Sequence, residues 1–143
     1  MTHEQTTTPV ELLFRLEAEL GSRDYIKDGP QGTRAIVEVT GGRFQGPRLN
    51  GTVQGPAGDW LTIRGDGSYK VDVRATLRTD DDALILMTFT GIGISTEDGS
   101  STRGAILFET GDWRYAWLNR VLAVLVGGRQ GESLGVYDVY ALL

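Results

Sequence analysis

Residues 68–78 constrain the fold more than any other stretch of the chain. Tyr69, Val71, Val73, Ala75 and Leu77 alternate with Lys70, Asp72, Arg74, Thr76 and Arg78. A strand turns successive side chains to opposite faces, so a period of two describes a half-buried β-strand. Comparable segments recur at short intervals along the chain. The pattern predicts strands over residues 10–20, 33–40, 43–54, 59–64, 68–78, 83–94, 103–110, 115–126 and 133–142. The first has helix-forming residues as well, from Glu11 to Leu20, but its alternation favours a strand.

Turn chemistry separates these segments. Residues 21–32 read as a polar connection ending in Gly29-Pro30-Gln31-Gly32, and Gly41-Gly42 closes the second strand. Gly46-Pro47 inside the third marks a bulge or an edge. Gly55-Pro56-Ala57-Gly58 and Gly65-Asp66-Gly67 read as turns, the second as a hairpin. Residues 95–101 read as a mobile loop. The 20 glycines suit a chain with many tight turns. About nine short strands with no interior helix indicate an antiparallel meander. An open sheet of that size exposes its edges, and closure removes them. The expected fold is all-β: a single antiparallel meander β-barrel of about eight to ten strands over residues 10–143, after a disordered tail at 1–9. A β-sandwich is the alternative. No repeat and no second domain are visible.

Several function classes are disfavoured by composition. Net charge is −5, from 14 basic and 19 acidic residues, with no basic cluster. Nucleic acid and anionic membrane surfaces both require a positive footprint. Cys is absent, which excludes disulfides, thiolate nucleophiles and Cys-ligated zinc. The single His, His3, lies in the polar tail and is a poor candidate for a catalytic triad or a metal ligand. No cofactor and no metal are expected. Asp80-Asp81-Asp82 reads as a solvated turn, and the Gly41-Gly42/Gly46 cluster lacks the strand-to-helix setting of a phosphate loop. Residues 121–126 read as a buried strand, too short for a membrane span. With no signal-peptide pattern, the expected location is cytoplasmic.

A barrel of this size either fills its interior or keeps a cavity for one ligand. Asp72 and Arg74 share a strand face. They are either a solvated pair or a pocket pair, with Arg74 binding an anion and Asp72 acting as its orienter or as a base. Asp59-Trp60 follows a turn. It is either a turn carboxylate with a core Trp or a pocket rim and wall. Residues 108–120 are rich in Phe, Trp, Tyr, Asn and Arg. Read as a strand, Tyr115, Trp117 and Asn119 share one face, either as an aromatic corner of the core or as contacts to a planar ligand. Asp72, Glu109 and Tyr115 are the candidate proton-transfer groups. Arg34, Asp59, Trp60, Arg74, Trp117 and Asn119 are the candidate ligand contacts.

Across residues 29–53, 59–85 and 108–120 the chain resembles the domain-of-unknown-function 3237 family of bacterial and fungal barrels. Those segments carry GPQGTRAIVEVTGG, DWLTIRGDGSYKVDVRATLR and FETGDWRYAWLNR. The resemblance implies a small lipocalin-like barrel, usually self-associating into a homo-oligomer, with a polar-aromatic pocket and no settled activity. The family tends to carry a basic or amide residue before the glycine near position 91 and a basic one after it. Here Thr90-Gly91-Ile92 stands, and a less anionic or differently shaped ligand is implied if these positions line the pocket mouth.

Three functions fit these residues. The first is a cofactor-independent enzyme acting on a small organic molecule by isomerisation, cyclisation or lyase/hydratase chemistry, with carboxylate and Tyr proton transfer and Arg or Asn anchoring. The second is a non-catalytic carrier of a small molecule. The third is a purely structural subunit. The enzyme reading ranks first, and each depends on which way the Asp72/Arg74 face points.

Overall fold

The computed structural model describes residues 4–143; His3 lies outside the described residues. Eight strands follow in chain order: β1 (Val10–Gly29), β2 (Gly32–Gln45), β3 (Asn50–Ile63), β4 (Tyr69–Thr79), β5 (Leu84–Thr96), β6 (Gly99–Glu109), β7 (Leu122–Gln130) and β8 (Leu134–Leu142). Each pairs antiparallel with the next, and β8 pairs with β1 to close the barrel. Val10–Gly29 is a strand, so alternation prevails over helix propensity there. No described helix is long and apolar enough to cross a membrane.

The predicted boundaries differ in ways that share one cause. Gly41 and Gly42 do not end a strand. They lie within β2, beside a register shift of β1 at Leu20, where a Cβ on Gly42 would sit 2.3 Å from the Glu17 carbonyl oxygen. Gly55-Pro56-Ala57-Gly58 lies within β3 at a register shift between Val53 and Ala57. The break falls at residues 46–49 instead, where the Gly46 N–H donates to Asn50 Oδ1 at 3.1 Å. Glycine and proline mark bulges as well as turns, and only the partner strand tells them apart. Residues 21–29 extend β1 because β2 supplies their backbone partners, such as Ile26 with Arg34. The expected loop at 95–101 shrinks to a tight turn between Thr96 and Gly99.

The largest departure is at residues 115–120, the first half of the strand expected over 115–126. Trp113–Arg120 is a 3-10 helix. Asp112 caps it by accepting the Arg114 N–H at 2.9 Å, which satisfies a first-turn donor. This segment joins β6 to β7 across one end of the barrel. Its Leu118 and, from the strands, Phe14, Phe44, Leu77, Ile85, Ile106 and Leu125 are all fully buried. The Phe14 ring centroid is 5.3 Å from that of Phe44 and 6.1 Å from that of Phe108. One end of the barrel is therefore packed solid with aromatic and aliphatic side chains. The other end is not.

Candidate active site

The apolar face of β4 points inward: Val71, Val73, Ala75 and Leu77 are buried. Lys70, Asp72 and Arg74 accordingly face outward. Of the nine candidate residues, the structure places only Asp59 on the wall of the internal cavity. That cavity, of about 210 Å³, lies at the end carrying the β1–β2, β3–β4, β5–β6 and β7–β8 hairpins. Its wall is mainly aliphatic and aromatic, including Leu16, Val37, Val71, Met87 and Phe89. Its polar groups include Asp59, Tyr137, Tyr69, Arg23, Arg129 and Glu132. Among the described residues, no three His, Cys, Asp or Glu side chains come together to hold a metal ion.

Asp59 reaches the interior by the parity of β3. Asp59, Leu61 and Ile63 face the cavity, while Trp60 is exposed on the outer wall, paired with Ile36. The β3–β4 ladder pairs Gly58 with Arg74 and Asp59 with Val73, then resumes at Thr62 with Lys70. Within the gap the Asp72 backbone N–H donates to Asp59 Oδ1 at 2.9 Å. Asp72 thus serves the site through its backbone and not its carboxylate. Burial drives the Asp59 carboxyl up from an ordinary 3.8 to about 6. The Asp72 N–H bond opposes that rise, and the Asp72 charge adds a little to it.

Tyr137 extends from β8 into the same cavity. Gly135 lies two residues earlier on the same face, and a Cβ there would come within 2.7 Å of the Tyr137 ring and hydroxyl. The ring can fold back over position 135 only because that residue is glycine. Burial, with the Asp59 charge adding to it and Arg129 opposing, pushes the Tyr137 phenol up to about 12. It stays protonated at neutral pH and is a hydrogen-bond donor. A carboxyl raised to about 6 and a phenol that keeps its proton thus line the same apolar chamber.

The remaining candidates lie elsewhere. Arg34 and Arg74 are on the outer wall, paired across the ladders with Thr62 and with Gly58 and Thr88. Glu109 is exposed at the end of β6. Tyr115, Trp117 and Asn119 are at the packed end, because the 3-10 helix replaces the strand that would have aligned them. The Tyr115 hydroxyl donates to Asp81 Oδ1 at 2.7 Å, and Asn119 bonds both the N–H and the C=O of Thr110, at 2.8 and 2.9 Å. The Arg48 guanidinium lies 3.7 Å above the Trp117 ring centroid. These contacts hold the end cap. Tyr115→Phe is expected to cost about 1 kcal/mol of stability and to leave ligand binding in the cavity unchanged, as urea melts and titrations would measure. Thr90 and Ile92 also point outward, so their departure from the family pattern does not alter the cavity mouth.

Tyr137, Tyr69, Arg23, Arg129 and Glu132 escaped the sequence reading. A signal existed for Tyr137: Gly135 stands two residues before it, a small residue beside a large one on a single strand face. For Asp59 the signal was a lone carboxylate in register with Leu61 and Ile63. Arg129 sits in a Gly127-Gly128-Arg129-Gln130-Gly131 run that reads as turn alone.

Comparison with known proteins gives a consistent picture. Residues 8–142 match the model of a family described as "Protein of unknown function (DUF3237)". A hydroalkoxylation enzyme from Penicillium herquei is 36% identical over 119 residues, covering 81% of this chain and 73% of that protein. Among solved structures, an enzyme from Penicillium herquei superposes with a TM-score of 0.76 at 26% identity, covering 97% of this chain and 99% of that one. A β-barrel-like protein from Acinetobacter baumannii gives a TM-score of 0.84 at 26% identity, covering 98% and 100%.

Proposed function

The chain belongs to the DUF3237 family, and from that footing we propose that it is a cofactor-independent enzyme closing a ring in a small molecule by adding a hydroxyl across an activated carbon–carbon double bond. The observation that carries this reading is Asp59, a carboxyl on the apolar wall of an internal cavity, with a pKa raised to about 6. The type of reaction is supported by the hydroalkoxylation enzyme to which the chain is 36% identical.

The residues suit each step. The Asp59 carboxylate takes the proton from the substrate hydroxyl. The oxygen attacks the β-carbon of a conjugated double bond, and the π electrons move to the carbonyl oxygen as an enolate. The Tyr137 hydroxyl donates to that oxygen as its charge develops, in a chamber where few waters compete. Protonated Asp59 then returns its proton to the α-carbon, so the product is an isomer of the substrate and no co-reactant is needed. A base near 6 can accept the proton and later release it around neutral pH.

The conversion of 2′-hydroxychalcone to flavanone is the test reaction, followed by loss of chalcone absorbance and by chiral chromatography. The expected result is a rate above buffer with an excess of one enantiomer. Binding of the chalcone with only the buffer rate and a racemic product would make the protein a carrier instead.

A further inference from the structure

We propose that Arg23 and Arg129 form an anion-binding site at the cavity mouth, so that the ligand class is an apolar body ending in an acidic oxygen, a carboxylate or a phenolate. The proposal rests on the reading of the cavity as the ligand site and adds to it the chemistry of what enters.

Both arginines line the cavity. Arg23 comes from β1, and its Nη2 donates to the Glu132 carbonyl oxygen at 2.5 Å. Arg129 comes from the end of β7, and its Nη1 donates to the Gly131 carbonyl oxygen at 3.1 Å. Two cations from different strands are therefore tethered to successive carbonyls of one turn. Nη2 of Arg129 also reaches the Gly99 carbonyl oxygen across the β5–β6 turn, at 3.4 Å. Its backbone N–H is fixed on Ser100 Oγ at 3.0 Å. Among the described residues neither guanidinium has a carboxylate within 4.0 Å, Glu132 included.

A guanidinium carries five donors, and these carbonyl contacts leave several unused on each arginine. Two half-buried cations held on adjacent carbonyls of one turn repel one another, an anion bound at both relieves that repulsion, and the rigid fork of Arg matches a carboxylate or phenolate oxygen. Behind them the wall is Leu16, Val37, Val71 and Phe89, which accepts an apolar body and no second charge. The mouth therefore fixes the orientation of the ligand. Its charged oxygen stays at the rim, and its uncharged end meets Asp59 and Tyr137.

The probes are 2-naphthoate and 2-naphthamide, nearly identical in shape and differing in charge, titrated into the whole protein by calorimetry. Wild type is expected to bind the naphthoate about tenfold or more tightly than the amide, as charge-assisted hydrogen bonds imply. Arg129→Gln and Arg23→Gln should each remove most of that preference while leaving amide affinity within about twofold. Arg129→Lys should keep part of it, and circular dichroism spectra verify folding. Equal affinity for the two probes, or equal losses for both in the Gln variants, would overturn the anion site and leave the cavity reading intact. Failure of both probes to bind wild type would overturn both.

Discussion

Asp59→Asn is expected to abolish turnover and to stabilise the protein at the same time. In the proposed mechanism Asp59 transfers the proton, a role that contributes about 10²- to 10⁴-fold in rate, and the amide cannot replace it. The amide oxygen can still accept the Asp72 N–H that now binds Oδ1. The stability effect follows from linkage. The folded carboxyl titrates near 6 against an ordinary 3.8, so the folded state binds this proton more tightly than the unfolded chain does. Relative stability is then highest below about pH 4, declines as pH rises toward 6, and stays low above it. The charged form costs about 3 kcal/mol above pH 6. Asn carries no such cost, so the variant should melt higher than wild type at pH 8 and equally at pH 4. Thermal melts from pH 4 to 8, plotted as the difference between the two proteins, isolate Asp59 from every other carboxylate. A group kept for activity at the expense of stability is the signature of a functional site. Unchanged turnover, or a lower melting temperature at pH 8, would show that Asp59 is structural. Asp72→Asn is the control: that side chain faces outward, and its rate should match wild type.

Phe14→Ala should produce the largest loss of stability in the chain. Phe14 is fully buried and contacts Phe44 and Phe108 at the packed end. Removing such a ring costs about 3–5 kcal/mol, because the lost transfer energy is joined by an unfilled cavity. A domain has about 5–15 kcal/mol in total, so the variant should unfold at markedly lower urea. Ile94, an exposed residue on the outer wall, should change stability by less than about 0.5 kcal/mol on replacement with Ala. The cavity is lined by other residues, so folded Phe14→Ala should still bind naphthoate. A midpoint shift no larger than that of Ile94→Ala would mean that the end plug does not hold the barrel.

The fold was legible in the sequence because it depends on alternation. β4 alternates without a break over residues 69–78, whereas β5 opens on the continuous apolar run Leu84-Ile85-Leu86-Met87 and β8 is apolar at most positions, so these two were legible as short apolar runs between turn signals. Strand count was less legible. Gly55-Pro56 and Gly41-Gly42 mark bulges within long strands, whereas Gly46-Pro47 lies at a true break, and the same residue types serve both purposes. The end cap was misread because Trp113–Arg120 has aromatic residues common in strands, and what makes it a 3-10 helix is the Asp112 cap over a packed barrel end.

The site shows the same division more sharply. Alternation alone established that Asp59 and Trp60 must part company, as must Val73 and Arg74, and it fixed an all-β chain whose strands each have one apolar face. Which of the two faces turns inward was settled only by closure of the barrel, where burial of Val71, Val73 and Leu77 outweighs any use for Asp72 or Arg74 inside. Closure also brought Asp59 on β3 together with Tyr137 on β8, 78 residues away along the chain. A strand's own sequence dictates its two faces, but the partners a residue meets across a barrel depend on strand order and register, and these exist only once the sheet has joined its ends.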